Sequence, residues 1–138
     1  YDYGHARYFV DEIALRTAHD GRGADFVIED RNTEVGVGWV GLHRTNGDEL
    51  DCGFWLAADA RGRGLMSQAL RAACRWAFTS GEDGLGARVI HWEAHEGNHA
   101  SRAVANHVGF TIGPDTVPGK NGPKWSGHLL PTRLRPPP

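Results

Sequence analysis

Residues 54–70 read FWLAADARGRGLMSQAL, and the fold turns on how that stretch divides. Phe54, Trp55 and Leu56 end an apolar run of strand character, while Leu65, Ala69, Leu70, Ala73, Trp76 and Ala77 lie on one stripe of a helix predicted over 65–78. Between them Arg61, Gly62, Arg63 and Gly64 alternate. A glycine-rich turn feeding a helix presents unpaired backbone N–H groups and the positive end of the helix dipole, a combination that binds phosphate. Gly62 and Gly64 allow close backbone approach, and Arg61 and Arg63 add charge. There is no Lys-Ser/Thr pair of a P-loop, and no third glycine of a dinucleotide fingerprint. Taken alone, the motif also fits a surface turn that binds nothing.

Working outward, residues 4–18 space Ala6, Phe9, Val10, Ile13, Ala14 and Thr17 at helical intervals, and a helix is expected there. Three strands follow, ADFVIED (24–30), EVGVGWVGLHR (34–44) and LDCGFWLA (50–57), joined by the short polar turns RNT and TNGD and so paired as antiparallel hairpins. After the helix over 65–78, GEDGLG is a stop. ARVIHWEAH (87–95) reads as a strand, NHASRAVANHVG (98–109) as a helix closed by Gly109, and FTIGPD begins another strand. KWSGHLLPTRL (124–134) is the last strand, cut short by Pro131. The simplest architecture is α/β (α+β), a mixed sheet flanked by helices.

Composition limits the alternatives. The chain has 138 residues, 40% hydrophobic and 23% charged with a formal net charge of −2, which suits one domain with a single core. It offers no basic field, so nucleic acid is not an expected partner. No run approaches the ~20 apolar residues of a membrane helix, and the start lacks the layout of a signal peptide, so no membrane partner and a cytoplasmic location are expected. Cys52 and Cys74, each among apolar neighbours, read as free thiols. The chain starts at Tyr1 without an initiator Met, and residues upstream of it are expected.

Three motifs in order carry a family resemblance: Gly53-Phe54-Trp55-Leu56, Arg61-Gly62-Arg63-Gly64-Leu65-Met66, and Asn98-His99-Ala100-Ser101 with Val104, Gly109 and Phe110. Together they resemble the coenzyme A binding half of the GNAT superfamily of N-acetyltransferases, and within it the branch of ribosomal-protein N-terminal (RimJ/RimL-like) acetyltransferases. The likeness covers about residues 35–112. It implies a mostly antiparallel mixed sheet in which a parallel strand pair splays to take acyl-CoA, within a single domain over 1–138 whose first strand and helix precede Tyr1. It also implies acetyl-CoA as co-substrate. Pantetheine would pair with the backbone of Trp55, Leu56 and Ala57, and the pyrophosphate would rest on backbone N–H groups of Arg61, Gly62, Arg63, Gly64, Leu65, Met66 and Ser67. Homodimerisation through the last strands is implied by analogy.

The reaction so implied is direct attack of a primary amine, a protein or peptide N-terminus or a small amine, on the thioester. It needs a neutral amine, a stabilised oxyanion and a proton for the departing thiolate. By motif position Ser101 supplies that last proton or a hydrogen bond to sulfur; alternatively it belongs only to its helix's first turn. Asn98 caps the helix, or binds cofactor, or both. Asp51 and Glu93 are the candidate bases, each of them equally compatible with a solvated strand carboxylate. His91, Glu93 and His95 alternate onto one strand face, but same-face neighbours lie about 6.6–7 Å apart, so a metal would need a ligand from elsewhere and none is expected. His128 would face the acceptor pocket and Trp125 wall it. A different class also fits the motifs, an acyl-CoA-binding sensor or subunit without catalysis.

Overall fold

Eight strands form one sheet in the computed structural model, which describes residues 6–10, 12–81 and 84–136. In chain order they are β1 (Ala6–Val10), β2 (Ile13–His19), β3 (Gly23–Asp30), β4 (Gly36–Asn46), β5 (Glu49–Leu56), β6 (Val89–His95), β7 (Thr111–Ile112) and β8 (Lys124–Leu129). Helix α1 (Leu65–Phe78) joins β5 to β6, and α2 (His99–Val108) joins β6 to β7. The spatial order is β1-β2-β3-β4-β5-β6-β8-β7, antiparallel throughout except for β5 beside β6. The two-residue connection of β4 to β5 uses Gly47 at φ 56°, as a tight hairpin requires. Pro131 ends the sheet and opens a short 3-10 turn, Pro131–Arg133.

The segment over 4–18 is corrected by the structure. Its described residues form the β1–β2 hairpin instead of a helix; residues 4, 5 and 11 lie outside the described residues. Ile13 and Thr17, four residues apart, fit a period of two as well as helical spacing; Leu15 fits only the period of two, and the branched Ile13 and Thr17 suit an extended chain. Pairing decides between the two periods, because β2 covers the outer edge of β3 over seven residue pairs and sets Leu15 beside Ile28 and Thr17 beside Phe26. The meander therefore has five strands where three were expected.

Alternation splits the sheet into an apolar and a polar face. Phe26, Ile28, Val40, Leu42, Leu50, Ile90, Trp92 and Leu129 bury themselves with Leu65, Ala69, Leu70, Ala73 and Cys74 of α1 and Ala105 and Val108 of α2. Each large aliphatic side chain taken fully from water contributes about 1.5–3 kcal/mol. α1 begins at Gly64 without a side-chain cap and is held by that stripe instead. The opposite face carries Asp25, His43, Asp51, His91, Glu93, Ser126 and His128, following from the register of β3 to β8. Cys52 and Cys74 are separate thiols, and burial pushes Cys52 up to about 12.

Trp39 lies flat on the polar face, and its Nε1 donates to Asp25 Oδ1 at 2.9 Å. A side chain on Gly41 would enter the indole ring, whereas at Gly36 it would meet only Val27 in ordinary contact. Gly41→Ala is therefore expected to cost about 1–3 kcal/mol of stability, and Gly36→Ala less than ~0.5 kcal/mol. Urea unfolding of the two variants checks the contrast.

Candidate active site

β5 and β6 stay paired for only three residue pairs, Glu49 with Val89, Leu50 with Ile90 and Asp51 with His91. Beyond these, β5 remains with β4 as far as Leu56 and β6 remains with β8 as far as His95, so the two strands part and leave a slot between their facing edges. Backbone groups along an unpaired edge are free to bind an extended polar ligand. Phe54 is half-buried and Leu56 buried on the apolar face, while Trp55 points the other way with 58% of its surface exposed. At the slot's outer end several backbone groups already have partners. The Ala57 amide donates to the Val37 carbonyl at 2.8 Å, and the Ala57 carbonyl accepts from the Ala60 amide at 2.9 Å. The Leu56 carbonyl accepts from Arg61 Nε at 2.9 Å.

The chain then makes a short 3-10 turn, Ala58–Ala60, and passes through Arg61 to Gly64 into α1. Gly62 and Gly64 sit at φ 84° and 73°, and a side chain on either would meet no atom within 4 Å. Positive φ, not crowding, is what requires glycine there. The first intrahelical bond runs from the Gln68 amide to the Gly64 carbonyl at 3.2 Å, so the amides of Leu65, Met66 and Ser67 have no intrahelical acceptor. Leu65 and Met66 are buried in the core and hold that turn in place. Arg61 is folded back on Leu56, and Arg63 lies 3.4 Å from Glu12. Amides without intrahelical acceptors at a helix start, with two guanidinium groups nearby, form an arrangement able to bind an anion.

On the polar face the register sets His43, Asp51, His91, His128 and Thr111 side by side across β4, β5, β6, β8 and β7. A cavity of about 470 Å³ opens over this row, lined by Asp51, His91, Glu93, Thr111, Ser126 and His128 among others. Partial burial, with Glu93 and Glu49 adding to it, raises the Asp51 carboxyl above the usual carboxylate range, while His91 and His43 pull the other way. Glu49 Oε1 lies 2.7 Å from His91 Nε2, and Lys124 Nζ lies 3.6 Å from Glu93. Asp51, Glu93 and His128 thus line one cavity. Among the described residues no three His, Cys, Asp or Glu side chains are placed to hold a metal ion.

Ser101 lies in the first turn of α2, which follows β6. Asn98 caps α2 by accepting the Ser101 amide at 3.2 Å, and Trp92 Nε1 donates to Ser101 Oγ at 3.0 Å. With the indole as donor, the serine keeps its own proton for a further acceptor. The part of Trp92 is invisible in a linear reading, since only the β6–α2 geometry brings the two side chains together. Glu49 was equally missed, though it stands two residues before Asp51 and so on the same face. Trp125 is not among the residues lining the cavity on the polar face. It pairs with Ala94 on the helix side of the sheet and packs 5.3 Å from the His99 ring, with the Arg102 guanidinium 4.5 Å from its own.

Solved structures share this fold. Mycobacterium smegmatis RimJ in complex with CoA-disulfide is similar over 83% of this chain and 56% of its own, with TM-score 0.67 and 26% identity. The ribosomal-protein-S5-alanine acetyltransferase from Vibrio fischeri matches over 83% of this chain and 65% of its own, with TM-score 0.68 and 18% identity. Spermidine N-acetyltransferase SpeG from Vibrio cholerae matches over 81% and 68%, with TM-score 0.65 and 19% identity. The chain spans 56–65% of the length of the first three such structures. No protein of curated function matches it in sequence. A family model described as "Acetyltransferase (GNAT) domain" matches residues 1–111. With that match, the parted β5–β6 pair and the phosphate turn, the chain belongs to the GNAT acetyltransferase family.

Proposed function

We propose that the protein transfers the acetyl group of acetyl-CoA to a primary amine, either a protein or peptide N-terminus or a small amine, without a metal. The observation that supports this reading is the parting of β5 from β6 just beyond the raised Asp51 carboxyl, with a glycine turn and an uncapped helix start following β5. Acetyl-CoA supplies an activated acyl carbon and a thiolate leaving group. The backbone of Trp55 to Ala57 aligns pantetheine, with Arg61 releasing the Leu56 carbonyl, and the amides from Leu65 to Ser67 hold the pyrophosphate.

The amine approaches from the polar face, over Asp51 and Glu93. As the C–N bond forms, Asp51 takes a proton from the amine, directly or through water, and its raised pKa suits it to hold that proton. Glu93, in the same cavity, is the second carboxylate able to receive it. On the far side the C–S bond breaks and Ser101 donates its proton to the departing sulfur, held in orientation by Trp92 and Asn98. The acceptor cavity, with its carboxylates, favours an amine that arrives as a cation and is deprotonated in place.

Gly64→Val, which forces a branched residue to positive φ at the turn, is expected to abolish coenzyme A binding as read by calorimetry. Ser101→Ala is expected to lower kcat about 10- to 100-fold with KM for acetyl-CoA held within about threefold. Unchanged turnover would leave Ser101 with a capping role alone. In the pH profile of kcat/KM, the acidic limb should fall above the ordinary carboxylate range, because the base works only once Asp51 has lost a proton that burial makes it retain. Asp51→Asn should remove that limb along with most of the rate. Thiol release with a panel of peptides and amines tests the whole scheme, and cofactor binding with no release of thiol from any acceptor would sink the enzyme in favour of a sensor.

A further inference from the structure

Glu49, Arg88 and His91 cluster at the foot of the slot, where β5 and β6 are last paired. Glu49 Oε1 lies 2.7 Å from His91 Nε2, and the other carboxylate oxygen lies 3.5 Å from Arg88 Nη2. Arg88 is fixed in turn at Asp48, by its Nε at 3.3 Å from Oδ1 and by its backbone amide at 2.8 Å from the carbonyl. Both oxygens of Glu49 are therefore engaged, and the carboxylate meets the imidazole from a set direction.

A carboxylate only accepts, so Nε2 of His91 is the donor. In the neutral ring Nδ1 then carries the lone pair, and among the described residues it has no hydrogen-bond partner. His91 stands opposite Asp51 across β5 and β6 and opposite His128 across β6 and β8, and all three line the acceptor cavity. The other histidines of the row lack part of this arrangement. His128 has no carboxylate within 4 Å among the described residues. His43 has Asp25 at 3.5 Å, but that carboxylate also accepts from Trp39, and His43 does not line the cavity. A strap from β5 to the start of β6 would need only the ion pair of Glu49 with Arg88.

We propose that Glu49 and His91 form a carboxylate–imidazole relay that takes the amine's proton from Asp51 during acetyl transfer. The proposal rests on the acetyl-transfer reading above and adds a second proton carrier to it. As the C–N bond forms, the surplus proton of the nitrogen passes to Asp51 and from there, directly or through water, to His91 Nδ1. Glu49, a positioning residue, holds the tautomer and stabilises the imidazolium. The electron pair of the C–S bond leaves with sulfur, which takes the Ser101 proton. His91 then gives its proton to solvent and Ser101 regains one from solvent, so the net movement is a single proton from nitrogen to sulfur. The relay clears Asp51 in each turnover, although burial makes that carboxyl retain its proton.

Two measurements on the intact protein test the relay. Ring-nitrogen NMR, with His91 assigned by its loss in His91→Gln, should show the neutral imidazole protonated at Nε2. A neutral ring protonated at Nδ1 would overturn the proposal whatever the activity. In thiol-release kinetics with an amine that the wild type acetylates, His91→Gln should lower kcat about 10- to 100-fold while KM for both substrates stays within about threefold. Gln keeps an N–H for Glu49 but has no nitrogen that titrates, so a merely structural His91 would leave kcat unchanged. That result would overturn the relay and leave acetyl transfer standing. Glu49→Gln should lower kcat about 3- to 10-fold and admit the Nδ1–H tautomer, because the charge that fixes the ring is gone. Thermal melts establish that the variants fold; where one does not, the wild-type ring spectrum decides. Release of no thiol by the wild type from any peptide or amine would overturn the relay together with the reaction it serves.

Discussion

The parting of β5 from β6 after Asp51 and His91 is the constraint on which the rest of the molecule depends. Two parallel strands joined by a helix ordinarily lie side by side, and backbone groups buried without partners are costly. Here each strand is secured on its outer side, β5 by β4 and β6 by β8, so the inner edges can separate without the sheet failing. The connection over the top contains the phosphate turn, and the residues just below the fork carry Glu49, Asp51 and His91. One break in a ladder therefore sets out a slot, a glycine turn and helix start beyond its mouth, and a cluster of titratable groups at its foot.

Charge is distributed along the same lines. The carboxylates Asp51 and Glu93 lie on the polar face of the sheet, while the arginines that follow Gly64 lie along α1 on the helix side. An overall charge near zero conceals two regions of opposite sign, each next to one end of the slot. The acidic region suits a cation and the basic region an anion, so the two ends differ in the charge they attract.

What could be read from the sequence was local. Helix α1 matches its expected span because its apolar stripe and the glycine before it lie within a few residues of each other, and Asn98 caps α2 for the same reason. Trp55 and Leu56 divide between faces as alternation demands. The segment over 4–18 went wrong because Ile13 and Thr17 satisfy two periods at once, and only the open edge of β3 selects one. The row of His43, Asp51, His91, His128 and Thr111 was beyond reach for a related reason. Its members come from five strands, and their adjacency is a property of register, which no single segment encodes. The bond from Trp92 to Ser101 likewise depends on how α2 returns over β6.

The slot is also an unfinished piece of sheet. An extended amide chain lying in it continues the ladder from β5 toward β6, so the occupant behaves as a ninth strand supplied from solution. Its binding energy is then part of the folding energy of the domain, and the two are linked by mass action. A protein built this way would hold its two halves together more firmly with such a chain in the slot, and its melting temperature would then rise with the concentration of that chain.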